Sequence, residues 1–273
     1  MDGLLVEKAG GLPGIEVSLL MEYLVQHFMA MLRIGAFCLS APFFGTRYFT
    51  TPIRIILAMA LAYAVYQVTP IPGSELVGTP QGVLVMIKEL FIGLSAGLIM
   101  TIWFSAASLA GEKIASSAGL GFAAQVDPDS GGQTPVVSQL LTLFLLVIFL
   151  SMDGHLLVIS IMLKSYEISP VAYMPDMSIM IQTAIEAAGM MFFAAAMIML
   201  PVITLLLMIN ISIGIITRSA PQLNLFSFGF PISMLGVFFI LYISADVFGF
   251  AFTDLVEAAL DSIERSIGGL AIG

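Results

Sequence analysis

The feature that most constrains this chain is the length of its charge-free stretches: from Ala187 to Thr217, 31 residues pass without one Asp, Glu, Lys or Arg. Crossing a hydrocarbon core of ~30 Å takes about 20 apolar residues in a helix. Such a run has no place on a water-facing surface. Of the 273 residues, 59% are hydrophobic and 10% charged, whereas a soluble domain carries roughly a quarter of its residues as charges. The chain is therefore expected to be an all-α membrane protein. A membrane β-barrel would show segments of alternating polarity, and Leu140 to Leu150 shows none.

Six apolar helical segments are predicted: Val17 to Phe44, Ile53 to Val68, Gly82 to Ala110, Pro135 to Met152, Ile179 to Thr217 and Pro231 to Phe252. Each is bounded by Pro, Gly or charged residues. The fifth is too long for one straight span, and Pro201, followed by Asn210 and Gly214, predicts a kink or a broken helix; a tilted or protruding helix is the alternative. Cations flanking the segments, four near Arg47, Arg54, Lys113 and Arg218 against three at Lys8, Lys164 and Arg265, leave the orientation open. The N-terminus lacks the basic start of a secretory signal, so the first segment is expected to stay in the mature protein.

Charge excludes several functions. Nine Lys and Arg against eighteen Asp and Glu give a net charge of -9, the wrong sign for neutralising phosphates, so neither nucleic acid nor a polybasic lipid patch fits. Cys38 is the single cysteine, which rules out an intrachain disulfide. No His-Glu-x-x-His, Gly-x-Ser-x-Gly or Walker loop occurs, and His27 and His155 have no partners at ligand spacing. No enzyme chemistry, metal or cofactor is expected.

Two constellations remain. Arg33 in the first segment and the adjacent Lys88 and Glu89 in the third are charges embedded in apolar runs, which are functional candidates by default. The other reading pairs Lys88 and Glu89 with neighbours, or Arg33 with a carboxylate of another subunit. Gly93, Gly97, Thr101 and Ser105 recur every fourth residue, a small-residue stripe along which another helix can approach closely, in this chain or another.

The connection from Gly111 to Thr134 begins as a small, apolar stretch. From Ile114 to Val126 it holds 13 residues without charge, too apolar for a solvated loop and too short to span. Re-entrant backbone is tolerated only where protein or a water-filled cavity covers it, so a pore or gate is one reading and an interfacial turn the other. Asp127-Pro128 through Gly131 then reads as a turn.

Taken in order, several motifs resemble the FliR family of flagellar export-gate proteins, whose virulence-secretion relatives are the T components of the injectisome. They are Arg33-Ile34-Gly35-Ala36-Phe37, Ala41-Pro42-Phe43-Phe44-Gly45, Gly111-Glu112, Gly119, Phe122-Ala123, Val126-Asp127-Pro128, Ser130-Gly131, Gly154-His155-Leu156, and a closing run of Ala220-Pro221-Gln222, Asn224, Phe226, Gly229 and Pro231. The closing run looks flagellar rather than injectisome-like. Ser117 and Asp153 depart from the Gln and Asn expected there. The resemblance implies a non-enzymatic subunit, one copy per assembly, joining FliP-like and FliQ-like subunits, with FlhB-like and FlhA-like components, in the bacterial inner membrane. It implies a FliP-like helical part at residues 17–163 fused to a FliQ-like hairpin at 178–252, in one integral-membrane domain whose helix hairpins partly project toward the periplasm. It also implies that Gly111 to Asp127 plugs the channel that carries unfolded flagellar proteins. In that plug Gly119 and Gly121 would supply backbone freedom, Phe122 would fill the lumen, and Glu112 and Lys113 would hold the base.

Two further classes stay open. A small-solute secondary transporter would use Arg33 and Glu89, but carboxylates are scarce within the segments, and the interruption at Pro201 has no counterpart in another half. A scaffold that holds partners without lining the pore is the third reading.

Overall fold

The computed structural model describes residues 17–45, 49–69, 71, 78–119, 136–171, 173, 177–220 and 229–271. Among these there are eight α-helices and no strand. They are α1 (Val17–Ser40), α2 (Thr51–Val68), α3 (Pro80–Ser117), α4 (Val136–Ser151), α5 (Gly154–Ile168), α6 (Ser178–Ser219), α7 (Phe230–Ile243) and α8 (Ala245–Gly268), followed by a 3₁₀ turn at Gly269–Ala271. By length and composition α1, α3 and α6 are each able to cross a membrane, and counting each bent pair of helices as one span raises the number to five.

Local chemistry sets several ends. Pro52 sits in the first turn of α2, where its missing donor costs nothing. Thr79 opens α3 by accepting the Gly82 N–H on its hydroxyl at 3.1 Å. At the other end of α3, Gly119 takes a left-handed φ of 84° and donates its N–H to Ser116 O at 3.1 Å.

Four sequence expectations need correction. Gly111 to Ser117 is not loop but the last two turns of α3. Ala110, Gly111, Ile114, Ala115 and Ala118 are buried while Glu112, Lys113 and Ser116 are exposed, a helical period that explains why this stretch is so apolar. Secondly, the fifth segment is not a broken helix: α6 runs through Pro201 without a break, as the alternative of one long helix requires. The proline removes one donor on an exposed face of the helix, and the flanking turns continue on their own hydrogen bonds. Thirdly, the interruptions lie elsewhere: α4 and α5 meet at 67°, and α7 and α8 at 69°. Fourthly, α5 and α8 extend beyond the fourth and sixth predicted segments. In α8 the buried Phe252, Leu255, Val256, Ala259 and Ile263 alternate with the exposed Asp254, Glu257 and Asp261. Carboxylates at every third or fourth residue end any charge-free count while leaving an apolar stripe intact.

The described residues form two compact units. The first draws on Met1–Leu98, Ile159–Gln182 and Glu264–Gly273. In it α1 packs on α2, with Tyr23 edge-on to Tyr66 at 5.1 Å, and Ile92, Met180 and Leu270 form a buried cluster joined by Phe91 and Ile168. The second unit, Ile99–Val158 and Thr183–Ile263, is tied by Phe104 against Phe149, Phe144 against Phe252, and a bond of 3.0 Å from Trp103 Nε1 to Ser262 Oγ.

The bend between α4 and α5 is built on Asp153, a non-glycine residue with φ 55°. Asp and Asn tolerate this left-handed conformation better than other side chains, and Gly best of all. Next to it Gly154 lies so close to the Phe149 ring that a Cβ would overlap it. Replacing Asp153 with Val should lower the unfolding free energy by about 1–2 kcal/mol, whereas Asp153→Gly should hold or raise it. Thermal unfolding of the detergent-solubilised protein distinguishes the two.

Candidate functional site

The embedded charges come together inside the first unit. Arg33 from α1 and Glu89 from α3 are completely buried, and Lys88 retains 2% exposure. Arg33 grips Glu89 with two prongs, Nε to Oε2 at 2.7 Å and Nη2 to Oε1 at 2.9 Å, the fork geometry that suits a guanidinium to a carboxylate. Its other donors turn to α5: Nη1 donates to Ser165 O at 2.8 Å and Ser165 Oγ at 2.9 Å, and Nη2 to Ser169 O at 2.8 Å. All five guanidinium N–H groups are thereby in use. The guanidinium also lies 4.1 Å from the centroid of Tyr166, whose hydroxyl donates to Ala30 O at 2.6 Å.

Lys88 reaches the carbonyls just beyond α5, Pro170 O at 3.1 Å, Val171 O at 2.8 Å and Tyr173 O at 3.0 Å, and lies 2.6 Å from Glu89 Oε1. Two cations thus collect five carbonyls at and after the C-terminal end of α5. Helix C-termini carry partial negative charge, so these carbonyls offset the positive charge that one carboxylate leaves over. A buried charge is tolerable only when paired and hydrogen-bonded. This cluster meets that condition and leaves Arg33 no donor for a solute.

Half of the small-residue stripe serves the same assembly. A Cβ added at Gly93 would overlap the Arg33 carbonyl and lie 2.8 Å from Ala36 Cβ; one at Gly97 would overlap Ser40 Oγ and lie 2.8 Å from Ala41 N. The helix that uses these two glycines is therefore α1 of the same chain. Thr101 and Ser105, in the second unit, are half-buried, and the Ser105 hydroxyl turns back to Thr101 O at 2.8 Å.

Of the residues assigned to the loop, Gly111, Glu112 and Lys113 stand on α3, Gly111 against the Ser138 backbone of α4 and the two charges exposed. Ser138 Oγ donates to Ser108 O at 3.0 Å, closing the same contact. Gly121, Phe122, Asp127, Pro128 and Gly131 lie outside the described residues, as do Pro221, Gln222, Asn224 and Phe226. Gly229 is buried at the start of α7, and Pro231 occupies its first turn. Among the described residues no group of three or more His, Cys, Asp and Glu is placed to hold a metal.

Sequence reasoning passed over Ser165, Tyr166 and Ser169, since nothing in a hydroxyl's spacing marks it as a partner of a distant arginine. It also gave Asn210 only a part in bending α6, although a lone amide in a 31-residue charge-free run is a usable signal.

Comparison with known proteins gives the family. Residues 24–259 match the family described as bacterial export proteins, family 1. The flagellar biosynthetic protein FliR of Pectobacterium carotovorum subsp. carotovorum is 34% identical over 215 residues, 79% of this chain and 82% of its own length. The chain belongs to the FliR family. Two other FliR proteins show the same extent: that of Escherichia coli K12 is 31% identical over 78% of this chain and 82% of its own length. That of Bacillus subtilis 168 is 29% identical over 80% and 85%.

Within this FliR-family chain the cluster predicts an asymmetric response. Arg33→Met leaves the buried Glu89 carboxylate with Lys88 alone, takes the guanidinium donors from the Ser165 and Ser169 carbonyls, and should cost about 3–5 kcal/mol. Arg33→Lys should recover only part of that, because an ammonium cannot span the Glu89 fork and the Ser165 and Ser169 carbonyls together. Melting temperatures in detergent, with the amount of chain in membrane fractions, measure both.

Proposed function

We propose that the chain is a subunit of the flagellar type III protein export gate of the bacterial inner membrane, and that it contributes shape rather than chemistry. Membership of the FliR family along residues 24–259 carries this reading. Its helices add physical support. At a rise of 1.5 Å per residue α6 is ~63 Å long, about twice a hydrocarbon core, and only 22% of its most apolar window is buried within the chain. Ile185, Phe192, Phe193, Met197, Leu205 and Ile215 are among the exposed side chains of this helix. A bilayer alone does not cover such a length; further membrane subunits do.

In this reading the partners are FliP-like and FliQ-like subunits, with FlhB-like and FlhA-like components nearby, and part of the assembly rises toward the periplasm. Residues 17–163 supply the FliP-like helical part and 178–252 the FliQ-like hairpin. The segment after α3, with Gly121 and Phe122, plugs the channel for unfolded flagellar proteins. Gly119, at the end of α3, starts this segment, and Asp127, Pro128 and Gly131 turn it back toward α4.

The solute-transporter reading gains from the two bent helix pairs, at 67° and 69°, but its binding residues are occupied, Arg33 and Glu89 by each other and by α5. Solute uptake by the purified chain in vesicles would revive it. The scaffold reading predicts that a photo-crosslinker at Phe122 never captures a stalled export substrate.

The deciding experiment shortens Gly119 to Ala124 in cells that make the complete apparatus. Ion leakage through the membrane or altered secretion of filament protein is the expected result. Normal conductance with normal filament growth would refute the plug. Affinity purification in mild detergent should bring down FliP-like and FliQ-like chains with this one.

A further inference from the structure

The four last carbonyls of any α-helix have no partner within the helix. In α3 these belong to Ile114 through Ser117, and the structure shows where three of them go. Ile114 O accepts the Ala118 N–H at 3.0 Å, and Ser116 O accepts that of Gly119 at 3.1 Å. Ser117 O accepts from a side chain 93 residues further on: Asn210 Nδ2, at 3.2 Å, from the last quarter of α6. The same amide is held from its other side, where Ser233 Oγ of α7 donates to Asn210 Oδ1 at 2.9 Å. Ser233 is buried at 3% exposure. One amide therefore joins three helices of the second unit, donating to one and accepting from another.

Asn210 is an expensive choice for this position. It interrupts the most apolar long helix of the chain, where Thr204 is the single polar residue among the twenty before it, and an amide in an apolar helix is retained where it has partners to satisfy. Its partners are not spread over α6; they converge on the point at which α3 stops. The other side of that end is closed by a separate contact, in which Ser108 and Ser138 exchange hydroxyl bonds at 3.0 Å and Gly111 meets the α4 backbone. Serine contacts thus tie α3 to α4 two to three turns before its end, and Asn210 fixes the end itself.

We infer that Asn210 is a positioning residue of the export gate: it caps α3 in trans and, oriented by Ser233, fixes the site from which the chain leaves α3. This inference rests on the export-gate reading above and adds to it a residue in α6, far in sequence from the segment that follows α3. The amide is suited to the task because it offers a donor and an acceptor at once without charge. An aspartate has the same shape and still accepts from Ser233, but it cannot donate to Ser117 O and faces that carbonyl with negative charge.

The test uses bacteria making the complete export assembly and compares Asn210→Ala, Asn210→Asp and Ser233→Ala with the unaltered chain and with the Gly119-to-Ala124 deletion. Membrane ion conductance is read with a potential-sensitive dye, and incorporation of the chain into the complex by co-purification. Loss of one hydrogen bond of ordinary strength should raise conductance about fivefold in both Asn210 variants, at unchanged incorporation, with a smaller rise for Ser233→Ala. Conductance at the unaltered level in both Asn210 variants while the deletion leaks would overturn the inference and leave the export-gate reading intact. A deletion that does not leak overturns the plug and this inference with it. Failure of both variants to enter the complex also counts against the inference, because Asn210 would then be required for folding rather than for position.

Discussion

Charges inside an apolar protein must bring their own solvent, and the first unit is arranged around that requirement. Arg33, Lys88 and Glu89 are each nearly or wholly removed from water. None of their segments is a comfortable independent guest in lipid. Their partners are one another and the carbonyls at the end of α5, so the charges are satisfied only when α1, α3 and α5 have come together. A hydrophobic core would hold these helices with less discrimination. The ionic cluster defines which helix end belongs beside which, and any alternative arrangement leaves charge unpaired in a medium of low dielectric.

The second unit has the opposite economy. Polar contacts between its helices include the neutral ones of Trp103 with Ser262, Ser108 with Ser138, and Asn210 between Ser117 and Ser233. Much of its apolar surface remains open, with Leu235 at 71%, Phe239 at 65% and Phe250 at 74% exposure. Scattered apolar side chains on a surface need no explanation, but continuous faces of this size mark contact with lipid or protein.

The sequence made the helical class legible, because 31 residues without a charge admit few alternatives, and it marked Arg33, Lys88 and Glu89 as unusual. It did not reveal that they form one cluster, since Glu89 and Arg33 lie 56 residues apart and no periodicity links them. Counting charge-free runs also misplaced boundaries in a consistent way. Amphipathic turns such as Glu112 and Lys113 in α3, or Asp254 to Asp261 in α8, were left outside the helices, although their buried faces keep the helical period. Proline misled in the other direction: Pro201 is accommodated within α6, whereas the sharp bends occur at Asp153 and Ser244, where a left-handed residue and a single turn residue separate two helices. The small-residue stripe was legible as a packing surface, but its partner, α1, was not.

That stripe has a consequence for how the cluster is aligned. At Gly93 and Gly97 the backbones of α1 and α3 approach so closely that even a methyl group would collide, and Glu89 lies one turn before Gly93 on the same helix. Sliding α1 by a single turn would carry the guanidinium about 5.4 Å from its carboxylate. Two absent methyl groups therefore act as a gauge, setting the depth at which an arginine is seated beside its counterion.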